Sequence, residues 1–240
     1  ATYLALLLRR RLATWGRLLS PPDLQALLPL LRASSANLVR TALWNLVMLT
    51  RARSAQAMDP TGVAAAAYTL SLQLYYVGDV FSLAMQAIAA SLVPSALARS
   101  RKEARRVTRR LFGWSFLVGL CVCLAQLAAL PFVLPLFTPV AAVREATKAP
   151  AVVAALLMLI NGPCYTAEGV AMGLGSWTTL TVVTAVGLVL FLATLGVATP
   201  LGLVGIWASV GVLNLSIALG LAWQMYRGRD SPLVRNESSS

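Results

Sequence analysis

Histidine is absent from this chain, and only 8 of its 240 residues are Asp or Glu. Without imidazole, the usual partner of a serine or cysteine nucleophile is missing. There is also no G-x-x-x-x-G-K-[ST] loop to cradle a triphosphate. The chain therefore reads as neither a hydrolase nor an ATP-driven pump, and no catalytic constellation is present. The 3 cysteines do not change this. Cys121 and Cys123 are two apart and point to different helix faces, while Cys164 lies alone in another segment. They read as small apolar fillers, with no metal-ligand spacing and no disulfide framework. Charge is scarce as well, at 12% of residues against about 25% in soluble domains.

Apolar residues are abundant. They make up 58% of the chain, mean hydropathy is +0.75, and several runs reach the roughly 20 residues that a bilayer crossing needs. The reading is an all-α membrane protein with the lipid bilayer as its first partner. The net charge of +12 could point to nucleic acid. It does not, because the basic residues cluster between apolar runs and no aromatic-interleaved basic surface exists.

The chain opens on Ala1 and runs through Leu8 into Arg9-Arg10-Arg11, which reads as the last turns of a helix begun upstream. Residues 1–32 are thus the end of a preceding helix plus a basic, amphipathic linker. Pro21-Pro22-Asp23 marks a helix start, and Leu24, Leu27, Leu28 and Leu31 recur at helical spacing. A six-helix unit over 33–226 follows, with spans of about 33–52 (A), 63–97 (B), 111–137 (C), 150–174 (D), 177–199 (E) and 202–226 (F). Residues 99–110 form a basic loop, a short loop carries Arg144, Glu145 and Lys148, and 227–240 is a polar tail expected to be disordered. Six spans place the linker and the tail on one side. That side takes all of the 20 basic residues except Arg51, Arg53, Arg144 and Lys148, which fall opposite, and Arg40, which lies inside span A. The positive-inside rule then makes it the cytoplasmic side, or the stromal side of a plastid.

Three ionisable residues sit inside apolar spans. Glu168 lies on span D, where an ionised acid at mid-membrane costs about 2.5–3.5 kcal/mol on insertion scales. It shares a helix face with Asn161, Tyr165 and Met172, downstream of a kink expected at Pro163. Span B carries a stripe of Tyr75, Asp79, Ser82 and Gln86, and span A offers Asn37, Arg40, Thr41, Trp44 and Met48. Arg40, Asp79 and Glu168 sum to −1, so one proton or Na⁺ would neutralise them. A carboxyl that takes up and returns a cation is a natural coupling element. The bland alternatives are a structural Glu168 paired with an arginine, and a static Arg40–Asp79 salt bridge. Asp59-Pro60-Thr61-Gly62 reads as a turn. The glycines of Gly169-x-x-x-Gly173 and those of span F (Gly202, Gly205, Gly211, Gly220) read as close-packing positions.

Four short patterns carry a family resemblance. They are Asn37-Leu-Val-Arg-Thr41, Gly78-Asp79-x-x-Ser82-x-x-x-Gln86, Glu168-Gly169-Val-Ala-Met-Gly173 and Gly202-Leu-Val-Gly205-Ile-Trp207. In order and spacing the chain resembles the C-terminal half of a multidrug and toxic compound extrusion (MATE) transporter of the DinF-like, plant plastid branch. The resemblance implies helices seven to twelve of a twelve-helix, two-lobed carrier. It also implies a central cavity and export of an organic solute in exchange for H⁺ or Na⁺. On that mapping Glu168 is the cation-coupling acid, with Asn161 and Tyr165 as neighbours and Asp79 as a second coupling group. Arg40, Asn37, Trp44, Tyr75 and Gln86 line the substrate cavity. The partners implied are the N-terminal six-helix lobe and a small organic solute, with no cofactor beyond the coupling ion. Span A has no acid where other branches carry one. A multi-pass protein of the plastid envelope is the placement that the branch implies, with a plasma or inner membrane as the other setting. The rival readings are a lipid-linked flippase of the same superfamily and a truncated membrane protein that does not transport.

Overall fold

The structure is a computed structural model that describes residues 24–227. The readings of residues 1–23 and of the tail from 228 lie outside the described residues. Seven α-helices and one short 3-10 turn make up the described chain: α1 (Leu24–Ala57), α2 (Val63–Arg99), α3 (Arg101–Phe137), α4 (Ala141–Leu156), α5 (Met158–Gly173), α6 (Trp177–Ala198), the turn Thr199–Leu201, and α7 (Gly202–Arg227). The chain divides into two compact units, Ala1–Ser35 and Ala36–Ser240. In the first, the described residues are the opening turns of α1.

Local chemistry sets the corners. Asp59 accepts from the backbone N–H of Thr61 at 2.8 Å and of Val63 at 3.1 Å. Gly62 takes a φ of 80° that a side chain would disfavour. The Thr61 contacts hold the Asp59 carboxyl below its usual range. The corner between α2 and α3 is a single residue, Ser100, whose side chain accepts from Glu103 N–H at 3.1 Å. That Ser-x-x-Glu pattern is a capping box in sequence terms. The expected basic loop of 99–110 is therefore the end of one helix and the first turns of the next. The short loop expected at Arg144–Lys148 is likewise helical, inside α4.

Span D proves to be two helices, α4 and α5, bent by 43°. The break falls at Leu157, whose carbonyl accepts from both Ile160 and Asn161. Pro163 lies beyond the break, inside α5, so the proline is not itself the corner. Among the described residues Val63–Arg99, Arg101–Phe137 and Trp177–Met225 are long and apolar enough to cross a membrane, and the bent pair adds a fourth such stretch. Trp177–Met225 doubles back at Thr199–Leu201. A Cβ on Gly187 would meet Leu213 and Ile217, one on Gly220 would meet Val183, and Gln224 donates to Thr179 at 2.8 Å. Helices α6 and α7 are thus the antiparallel legs of a hairpin.

Lipid offers no hydrophobic drive between helices, so close backbone approach does much of the packing. A Cβ on Gly169 would lie 2.2 Å from the Gln86 carbonyl oxygen, and one on Gly173 would lie 2.8 Å from that of Ala90. On the other flank of α5, Gly162 meets the Ser115 carbonyl and Gly119 of α3 meets that of Met158. Helix α5 is therefore clamped between α2 and α3.

Helix α1 behaves differently. It runs unbroken from Leu24 to Ala57, so the surface helix expected near Leu24–Leu31 and span A are one element. It is not among the stretches apolar enough to cross a membrane, and it has no extensive backbone packing against another described helix. Side chains from its middle and second half, including Arg40, Trp44, Met48 and Arg51, reach toward the bundle, and a cavity lies among them.

Candidate functional site: a polar cavity between helices

The cavity has a volume of about 260 Å³. Arg40, Trp44, Asn45, Met48 and Arg51 line it from α1, and Tyr75, Tyr76, Asp79, Leu83 and Gln86 from α2. Tyr165 and Glu168 come from α5 and Val210 from α7. Residues spaced by three and four on one helix share a face, which is why α2 and α5 each deliver a column of polar groups.

The two columns run parallel. Asn161 Nδ2 donates to Tyr75 OH at 2.8 Å, Tyr165 OH donates to Asp79 at 3.0 Å, and Gln86 Nε2 donates to Glu168 at 2.7 Å. Asn161 Nδ2 also reaches Asp79 at 3.3 Å, and Asn214 of α7 donates to Asn161 Oδ1 at 2.8 Å. Asp79, Asn161, Glu168 and Asn214 are all buried. One hydrogen-bonded string thus links α2, α5 and α7.

Glu168 is 2% exposed and pairs with Arg40 at 2.6 Å. Both donors, Arg40 and Gln86, reach the same oxygen, Oε2. The other oxygen, Oε1, is buried with no hydrogen-bond partner, an arrangement that costs about 1–3 kcal/mol for a polar acceptor and more for a charged one.

Several expectations shift. Arg40 pairs with Glu168, not with Asp79, because the parallel columns put Tyr165 and Asn161 against Asp79 and leave Glu168 to α1 and Gln86. Asn161 and Tyr165 are thereby neighbours of Asp79 through hydrogen bonds and of Glu168 only through their shared helix. Asn37 is exposed and does not line the cavity. Its carbonyl accepts from Thr41 within α1. Trp44, Tyr75 and Gln86 do line the cavity.

Two residues escape the sequence reading. Arg51, counted there only among the charges of the side opposite the linker, lies inside α1 at 2% exposure. Its guanidinium sits 5.7 Å from the Trp207 ring centre and contacts Met48. Its Nε has no hydrogen-bond partner, and it makes no ion pair among the described residues. A cation–π contact contributes about 2 kcal/mol when desolvated. Removing a guanidinium from water costs several kcal/mol, so Trp207 offsets only part of that. With Arg51 included, the four ionisable groups at the cavity sum to zero instead of −1. Asn214 is the second omission. A lone amide in the apolar run 210–217 was the available signal. Trp207 is itself tied down, donating to Ser71 at 3.1 Å and packing 5.0 Å from Tyr75 between ring centres. Among the described residues no group of His, Cys, Asp and Glu could hold a metal ion.

No family model matches the chain, and no curated protein matches it. Solved structures do. A multidrug-resistance MATE transporter of the MOP superfamily, in an outward-facing conformation, aligns with TM-score 0.72 at 17% identity, over 87% of this chain and 47% of its own. A MOP superfamily transporter from Pyrococcus furiosus aligns with TM-score 0.71 at 17% identity, over 85% and 46%. A MATE protein in a bent conformation aligns with TM-score 0.68 at 16% identity, over 85% and 46%. The fold is therefore that of half a MATE-type transporter. This chain spans just under half the length of those proteins.

Proposed function

We propose that the chain is the C-terminal lobe of a membrane antiporter that exports a small organic solute in exchange for H⁺ or Na⁺. The six-helix N-terminal lobe of the same carrier is its partner. The DinF-like, plastid-related branch is the family position that its short motifs favour, with the plastid envelope as the corresponding membrane. Xenobiotic or multidrug efflux is the activity class that the wider family resemblance brings with it.

The observation that carries the reading is Glu168. A buried carboxylate with one oxygen held by Arg40 and Gln86 and the other unpartnered has a ready attachment point for a proton or a small cation. Uptake of a cation at Oε1 weakens the hold of the same carboxylate on Arg40. Since Arg40 is a main link from α1 to the bundle, ion occupancy and the position of α1 are coupled through one bond. Asp79, a helix turn or two along the same wall, is the second coupling group. Its two oxygens each accept one hydrogen bond, from Tyr165 and Asn161, whereas Glu168 leaves Oε1 without a partner.

The test uses the full-length protein in sealed vesicles with an imposed H⁺ or Na⁺ gradient. Solute movement that depends on the gradient is expected, and Glu168→Gln should abolish that dependence. Gradient-driven transport of normal size in Glu168→Gln would overturn the assignment.

A further inference from the structure

Helix α3 has two faces of different chemistry. Ala104, Thr108, Leu111, Ser115 and Gly119 are buried against the bundle. Lys102, Arg106, Arg110, Gly113, Leu117, Cys121 and Leu124 are exposed. The exposed residues follow one another at steps of three or four, so they form a single row along the helix, opposite the buried one. The polar cavity takes no side chain from α3.

The row changes character at one point. It is cationic up to Arg110 and apolar from Leu117 onward. The segment from Arg99 to Arg110 holds seven Lys/Arg and one Glu, and that acid, Glu103, pairs with Arg99 at 3.1 Å. Lys102, Arg106, Arg109 and Arg110 form no ion pair among the described residues. Trp114, 61% exposed, flanks the crossover, where an amphipathic ring meets a membrane–water interface. Gly113 sits at the crossover itself. A Cβ there would meet nothing within 4 Å, so no described neighbour requires a glycine, although glycine is less favourable than alanine inside a helix. Gly119 is the contrast, since its Cβ would run into the Met158 carbonyl.

We propose that this crossover seats one anionic phospholipid of the leaflet on the basic side. Its phosphate docks on Arg106, Arg109 and Arg110, its glycerol lies over the bare backbone at Gly113, and one acyl chain runs along Leu117 and Leu124. The planar fork of a guanidinium matches phosphate oxygens. The depth fits as well. Leu124 lies eleven residues beyond Gly113, about 16 Å at 1.5 Å per residue, and one leaflet supplies half of a hydrocarbon core of about 30 Å. A soluble acidic partner would use the arginines and leave the apolar row uncovered. The positive-inside rule accounts for the sign of this side, but it is indifferent to the register of the charges with the apolar row and to Gly113. The lipid seat does not depend on the transport reading.

The experiment uses the delipidated full-length protein in detergent, titrated with palmitoyl-oleoyl phosphatidylglycerol or with phosphatidylcholine of the same chains. Native mass spectrometry counts the lipids bound per molecule. Each basic residue near an anionic surface strengthens binding on the order of fivefold, so phosphatidylglycerol should bind at least about tenfold more tightly than phosphatidylcholine. The triple variant Arg106→Gln, Arg109→Gln, Arg110→Gln should retain one phosphatidylglycerol fewer, with its phosphatidylcholine count unchanged. Gly113→Leu keeps every charge and fills open space, so it should lose the same lipid without a lower unfolding midpoint. Equal affinity for the two lipids in the wild type would overturn the proposal, and so would an undiminished phosphatidylglycerol count in the folded triple variant. Full retention in Gly113→Leu would overturn it too, since the attraction would then be diffuse. Should the triple variant not fold, the wild-type comparison and Gly113→Leu decide.

Discussion

Replacing Gly169 with alanine should disable the site without touching a polar atom. The new methyl would lie 2.2 Å from the Gln86 carbonyl oxygen, 2.9 Å from Ala89 Cβ and 3.0 Å from the Gln86 carbonyl carbon. Two of these three are backbone atoms, so no side chain can swing aside. Ordinary contact needs roughly 1 Å more separation, which α5 can gain only by moving off α2. That movement stretches the neighbouring Gln86–Glu168 bond, now 2.7 Å, beyond hydrogen-bonding range. Overpacking of this kind typically costs about 1–3 kcal/mol. The same substitution at Gly196 is the internal control, because a Cβ there meets nothing within 4 Å. In the last turn of α6 it should be neutral or stabilising by up to about 0.5–1 kcal/mol. The assay is thermal unfolding in detergent together with gradient-driven transport in vesicles. Gly169→Ala should lower the midpoint and impair transport, while Gly196→Ala should do neither. Equal behaviour of the two variants would refute the claim that glycine contact sets the register of the site.

Two further outcomes follow from the polar network. Arg40→Gln leaves Glu168 buried without its counter-ion and should destabilise by about 3–5 kcal/mol. The double variant with Glu168→Gln should recover much of that in a double-mutant cycle, and strict additivity would show that the pair is not formed. Asn214→Leu removes the donor to Asn161 Oδ1 and should cost about 1–3 kcal/mol, read as a lower unfolding midpoint. An unchanged midpoint would mean that the bond is absent.

The polar columns were legible in the sequence because they depend only on helical period. Tyr75, Asp79 and Gln86 lie on one face, as do Asn161, Tyr165 and Glu168, and the structure sets these two faces against each other. Which donor meets which acid was not legible. It depends on the sliding register of α2 against α5, fixed where Gly169 and Gly173 seat on the backbone of Gln86 and Ala90. Glycine spacing announced a contact without naming its partner. Arg51 was misplaced for another reason: a charge at the end of an apolar run counts toward one membrane side and gets no part in the interior, whereas α1 continues to Ala57. The basic stretch after Arg99 was readable as helix, since Ser100 and Glu103 spell a cap, but its density of charge suggested a loop. Asn37 failed because a helix stripe says which residues align, not how far along the stripe the neighbouring helices reach.

Asp79 lies near the middle of α2, sixteen residues beyond Val63 and twenty before Arg99. In the proposed coupling role, an ion taken up beside it would have crossed about half of an insulating layer centred on the helix. Each elementary charge moved through a full membrane potential of 100 mV is worth about 2.3 kcal/mol. Half of that path is worth about 1 kcal/mol, roughly a five- to sevenfold change in occupancy over 100 mV. On the coupling role proposed for Asp79, the depth of one carboxyl along one helix would make ion loading a voltage-sensitive step. An energised membrane would fill or empty this site even with equal ion concentrations on its two sides.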